Sequence, residues 1–179
     1  MRRSIMTLTA AAAAALLGAA TLTAQYPTWP SDPYSSRAQP GGYQPIYRLH
    51  DRALGDHVYT TDLNEVRTLQ LRGTHDYEGV TFSVLSQPYD GTRPLYRFAR
   101  PDGKHYLDTR RSAAIEGGGQ LEATLGYVDA APRAGLVPLQ VWVNDRNGLF
   151  FYTSDPRGEV AGQIGYSYRG TLGYVAPAR

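Results

Sequence analysis

The chain has 179 residues, no cysteine, and 18 Lys plus Arg against 16 Asp plus Glu. Without thiols, disulfides and thiolate zinc sites are excluded, so the fold must rest on its apolar core. The near balance of charge argues against a nucleic-acid partner, or an anionic membrane, bound through bulk charge.

The first 24 residues join Arg2 and Arg3 to an Ala- and Leu-rich stretch, Met6 to Leu17, and then to small residues around Ala24. This is the pattern of a secretory signal cleaved near Ala24, too short for a comfortable bilayer span. An uncleaved N-terminal anchor is the alternative. No cysteine stands at the cleavage site to carry a lipid, and no later segment has the apolar length for membrane insertion. The expected location is secreted or periplasmic. With Arg2 and Arg3 removed, the 18 basic residues fall to 16 and cancel the 16 acids. Residues 25–43, QYPTWPSDPYSSRAQPGGY, are dense in Pro, Ser and Gly and have no hydrophobic period, so they read as a linker.

From residue 44 to 177 one pattern is written three times. PIYRLHDRALGDHVYTTD begins at Pro45, PLYRFARPDGKHYLDTR at Pro94 and PLQVWVNDRNGLFFYTSD at Pro138. Each copy ends on a related segment: YEGVTFSV from Tyr77, LEATLGYV from Leu121 and YRGTLGYV from Tyr168. A period of this size marks units that bury their apolar faces only by packing together. The expected repeats are 44–90, 93–133 and 137–176.

Within each copy the order is the same. A short strand (Ile46–His50, Leu95–Ala99, Leu139–Val143) reaches a turn containing Gly55, Gly103 or Gly148, then a second strand. A helical segment follows. Asp62 is placed to cap the first helix, with Leu63, Val66 and Leu69 at helical spacing, and Asp155-Pro156 offers a similar start in the third copy. Repeat two has only Ser112–Glu116 for this purpose. A third strand closes each unit. On the first strand, Tyr47, Leu49, Tyr96, Phe98 and Trp142 share a parity and are core candidates, which Gln140 interrupts. On the second strand the expected core face is His57, Tyr59 and Thr61, then His105, Leu107 and Thr109, then Phe150, Tyr152 and Ser154. The fold class is mainly β: three units of roughly 45 residues closing into a β-trefoil-like barrel, with a short helix in each. A four-strand lobe is not visible in any copy, so another three-lobed α+β arrangement stays open.

These motifs resemble a repeat family of unknown function found in secreted and cell-surface bacterial proteins. Its pattern is roughly P-x-Y-R-x-Y-N, G-x-H-x-Y-T-T, E, and E-G-x-x-x-Y-V. Repeat one matches best, through Pro45, Tyr47, Arg48, Gly55, His57, Tyr59, Thr60, Thr61, Glu65, Glu78 and Gly79. Repeat two has Leu107 for the Tyr and Ala123 for the Gly, while repeat three has Val141 for the Arg and Phe150 for the His. Such repeats accompany cell-wall hydrolases and other extracellular enzymes. The resemblance implies a binding role and carries no activity with it.

The residues themselves leave two readings for each polar candidate. His57 and His105 fit buried structural histidines, because Phe150 replaces them in repeat three; the alternative is a binding site near Glu78 or Glu122. Arg48 and Arg97 fit surface ion pairs or donors to a sugar hydroxyl or carboxylate. Most of the 14 Tyr fit strands and core, with sugar stacking as the functional alternative. No nucleophile elbow, phosphate loop or metal motif is present, and no cofactor is implied. The expectation is therefore a non-catalytic module binding an extracellular polysaccharide or cell-wall glycan. The ligand-binding candidates are Arg48, His57, Tyr59, Tyr77, Glu78, Arg97 and His105, with repeat one carrying the site. A structural or protein-interaction domain is the alternative, and a hydrolase a weaker one.

Overall fold

The computed structural model describes residues 42–178. The expected signal and most of the linker lie outside the described residues. Nine strands and two helices follow in order: β1 Tyr43–Asp51, β2 His57–Thr60, α1 Leu63–Leu71, β3 His75–Leu85, β4 Thr92–Ala99, β5 His105–Asp108, α2 Ala113–Gly117, β6 Gln120–Asp129, β7 Val137–Asn144, β8 Leu149–Thr153 and β9 Ser167–Pro177, with a 3-10 helix at Ala161–Ile164 before β9.

The chain is mainly β, and its strands fall into three antiparallel triplets with the same pairing. β1 lies between β2 and β3, β4 between β5 and β6, and β7 between β8 and β9. Each hairpin turn carries a glycine in the left-handed region, at Gly55, Gly103 and Gly148, which a side chain would strain. The long strand of each triplet is bulged twice at matching places. One bulge leaves Glu78, Glu122 or Arg169 unpaired in the ladder, opposite Arg48, Arg97 or Val141. A bulge re-aims a side chain, and this one aims each of the two glutamates at its own arginine.

The closing strands join the triplets at their ends, through Leu85 with Tyr127, Asp129 with Tyr174, and Ser83 with Ala176. The sheet as a whole is open. β2, β5 and β8 each have a single strand neighbour, so the expected closed barrel is not formed by strand pairing. The physical reason is that side chains close the gaps instead. Tyr59 Oη accepts from Tyr152 N at 2.9 Å and donates to Tyr152 O at 3.1 Å. Tyr152 Oη accepts from Leu107 N at 2.8 Å and donates to Leu107 O at 2.9 Å. The third such place would need a tyrosine at Leu107; there Arg97 Nη1 donates to Tyr59 O at 3.0 Å. A bare strand edge inside a core would leave backbone groups orphaned, and these side chains satisfy both groups of Tyr152 and of Leu107 and the carbonyl of Tyr59.

The central core gathers Ile46, Leu95 and Leu139 from the first strands with Tyr59, Leu107 and Tyr152 from the second and Phe82, Leu125, Val128 and Val175 from the third. The opposite faces are also buried, in satellite clusters: Phe98, Tyr106 and Ala113 in one triplet, Leu149, Phe151, Ala161 and Tyr166 in another. This corrects the expected division into a core and a solvent face. Tyr96 and Phe98 pack in a satellite, and the other parity, Ile46, Leu95 and Leu139, lines the centre. Thr60, on the expected outer face, is buried too. The sequence pattern misleads because the helical segments cover the outer sheet faces.

Asp62 caps α1 as expected, accepting from Asn64 N at 2.8 Å. In the third triplet the helix starts later than Asp155-Pro156 suggested, at Ala161, and it is 3-10. Asp155 Oδ1 instead accepts from Arg157 N, which folds the intervening loop into a turn. Gly158, in the left-handed region, lets this loop lie on Trp142; a Cβ there would clash with the indole.

Candidate functional site

Arg48 and Arg97 lie on the same strand parity as Ile46 and Leu95, which turns them toward the centre of the molecule. Both are buried, so the sequence reading of surface ion pairs does not hold. Arg48 Nε donates to Glu78 at 2.6 Å, while Nη1 and Nη2 donate to the two oxygens of Glu159 at 2.9 and 2.8 Å. Its guanidinium also stacks 4.6 Å from the centre of the Phe151 ring. Arg97 repeats the arrangement one triplet on. Its Nε donates to Glu122 at 3.0 Å, and its Nη1 and Nη2 grip Glu65 of α1 at 3.0 and 2.8 Å. Each arginine thus takes one carboxylate from its own bulged strand and a forked pair from the segment between the second and third strands of the neighbouring triplet. Arg48 ties the first triplet to the third, and Arg97 ties the second to the first.

The third seam has no arginine clasp. Val141 stands where the arginine would be and packs against the central core. Asp108 and Ala113 stand near the places of Thr60 and Glu65, and Asp108 pairs with Arg110. The ring of Phe150 lies 5.8 Å from Tyr106, which supplies the contact instead.

His57 sits beside the first clasp. Its Nε2 is 3.6 Å from Glu78 Oε2, its ring meets Phe151 edge-on at 5.1 Å, and His50 lies 5.2 Å away. Burial first, then the charge of Arg48, lowers its pKa to about 4. A neutral imidazole is therefore the resting form, with Nδ1 buried and unpartnered. His105, only half-buried, bridges the second clasp, with Nδ1 3.2 Å from Asp56 and Nε2 3.5 Å from Glu122. The expected burial is thus met by His57 and half met by His105.

These shifts set a pH dependence. Burial raises Glu159 and Glu65, but hydrogen bonds from Arg48 and Thr153, and from Arg97 and Thr60, outweigh it and leave both below the ordinary carboxylate value. Depressed carboxylates stabilise the fold above their unfolded pKa, and that stability is lost as pH falls through the folded value. The depressed His57 acts in the same direction between its unfolded pKa near 6.5 and its folded value near 4. Denaturation at stepped pH should show stability falling from pH 6.5 to 4, by up to about 3 kcal/mol from His57. In His57→Phe the slope over that window should flatten; an unchanged slope would rule out this histidine as its source.

Beside the first clasp lies a surface cleft of about 660 Å³, between β3 and the loop after β8. Its walls include Arg48, Glu78, Thr81, Asp155, Arg157 and Glu159, with Pro156 and Pro177. Of the seven sequence candidates only Arg48 and Glu78 reach it. Tyr59 and His57 are buried behind the clasp, Tyr77 packs 6.3 Å from Tyr47 by ring centroids, and Arg97 and His105 belong to the other seam. The chain reading missed Glu159, Asp155 and Arg157. Matching Thr60…Glu65 to Thr153…Glu159 would have found the first, at the cost of one inserted residue. No group of His and acids suited to a metal occurs among the described residues. No helix among them is long and apolar enough to cross a membrane.

A family model described as a domain of unknown function, DUF5648, matches residues 19–114, more than half of the chain. The chain belongs to that family. The match takes in the first triplet, the two tyrosine-and-arginine motif strands β1 and β4, and the helix that supplies Glu65. It therefore contains Arg97 and Glu65 without Glu122, and Arg48 and Glu78 without Glu159. No curated protein and no solved structure matches the chain.

Proposed function

We propose that this DUF5648 protein is a secreted, non-catalytic binding module for an extracellular or cell-wall glycan. The observation that carries the reading is the cleft between β3 and the β8 loop. It mixes polar and apolar surface, is large enough for one or two sugar residues, and presents the carboxylates of Glu78, Asp155 and Glu159 as acceptors for hydroxyls. The proline faces of Pro156 and Pro177 give it apolar ground. The same reading takes the chain as three copies of one unit, supported by the shared strand pairing and matching bulges. Most motif residues then serve the seams, and the ligand falls to residues that differ between copies.

The test is a glycan array with residues 25–179, followed by calorimetry on any hit. Asp155→Asn and Arg157→Ala, both in the cleft wall and outside the clasp, should each weaken binding about tenfold, the scale of one charge-assisted hydrogen bond. A hit that both variants bind like the parent would place the ligand elsewhere, and an array without hits would end the glycan reading.

One observation favours an interaction domain as a second reading. Each triplet's helical segment leaves a large aliphatic side chain in solvent, namely Leu71 at 77%, Ile115 at 88% and Ile164 at 56% exposed. Three separated side chains form a docking surface only for a partner that spans the units.

A further inference from the structure

Glu159 combines three properties. It receives the forked grip of Arg48, it forms part of the cleft wall, and it has a φ of 53°, the only positive φ of a non-glycine among the described residues. A glutamate in the left-handed region costs free energy and persists only when its surroundings hold it there. Here Arg48 and the Thr153 hydroxyl, which donates to Glu159 Oε1 at 2.6 Å, do the holding. Its counterpart Glu65 grips Arg97 from within α1, where the backbone is relaxed. Of the two clasps, only the one beside the cleft is built on a strained loop.

We propose that the Arg48–Glu159 clasp is an acid-released latch on the cleft, whose opening frees the loop Asp155–Glu159 and remodels the ligand site. The proposal rests on the cleft being that site. Breaking the forked pair removes the contact that holds Glu159 in its strained conformation, so the loop relaxes away from β1 and β3. The groups that face the latch come from every neighbouring element. Arg48 and His50 are on β1, Asp56 and His57 at the start of β2, Glu78 on β3, and Thr153 and Asp155 at the end of β8. Acid acts on two of them together. Protonating Glu159 neutralises the partner of Arg48. Protonating His57 sets a cation beside Arg48 and a competitor for Glu78, whose Oε2 is 3.6 Å from Nε2. His57 holds its proton only at about pH 4 and below, so release is an acid event, not one at neutral pH. The Arg97–Glu65 clasp shares the carboxylate chemistry but has no strained loop to discharge.

The absence of cysteine makes the test direct, because spin labels attach only where cysteine is introduced. Arg67, Arg111 and Arg157 are exposed, one in each triplet, and provide three label pairs. Double electron–electron resonance on the full domain from pH 7 to pH 3.5 should show the 67–157 and 111–157 distances lengthen or broaden near pH 4, with 67–111 unchanged. Glu159→Gln should show the open distribution already at pH 7, and His57→Phe should move opening to lower pH. Distances that stay fixed until all three pairs change together would overturn the latch, as would Glu159→Gln keeping the closed distribution at pH 7. Because the readout is loop position and not binding, the latch can fail while a glycan still binds, and can stand where no glycan does.

Discussion

Tyr152→Phe should cost the fold about 2–5 kcal/mol, although it removes a single oxygen. The hydroxyl accepts from Leu107 N and donates to Leu107 O, and both residues are buried. Removing it leaves one donor and one acceptor of β5 facing an apolar core, and an orphaned buried polar group costs about 1–3 kcal/mol. Tyr59→Phe does the same to Tyr152 N and O and should cost a similar amount. Tyr168→Phe is the comparison, since its hydroxyl meets Thr171 at an exposed site and its loss should stay within about 0.5 kcal/mol. Urea denaturation gives all three differences from the midpoints at constant slope. If Tyr152→Phe behaves like Tyr168→Phe, the hydroxyls do not seal the edges.

Arg48→Ala should destabilise by about 2–4 kcal/mol. Breaking a buried ion pair typically costs about 3–5 kcal/mol. The figure is lowered here because the Glu78 and Glu159 side chains are about a third exposed and regain water. Part of the loss should return in Arg48→Leu combined with Glu159→Gln, because the second change removes a carboxylate that the first leaves without its cation. The third seam is the internal precedent, with Val141 in the arginine's place. Chemical denaturation of the two single variants and the pair closes a double-mutant cycle. A coupling below about 0.5 kcal/mol would mean that the arginine and the glutamate stabilise independently.

The strands, turns and first helix cap were legible from the chain because they are local. Period-two apolar runs bounded by Gly55, Gly103 and Gly148 announce hairpins, and Asp62 announces α1 through its own short-range hydrogen bond. The absence of thiol chemistry and the near-neutral charge are likewise fixed by composition. The partners of Arg48 and Arg97 were not legible. Their forked carboxylates lie 111 and 32 residues away, and only the assembly of the triplets brings them together. The same holds for Tyr59, whose polar end meets a backbone 93 residues distant. A sequence period reports which face of a strand repeats, but both faces here are buried, one at the centre and one under the helical segments. Parity therefore located the elements and left the depth of each side chain to tertiary packing. The cleft follows the same logic. Arg48 and Glu78 were visible as motif residues, but Asp155, Arg157 and Glu159 enter only because the third triplet folds its loop beside β3 of the first.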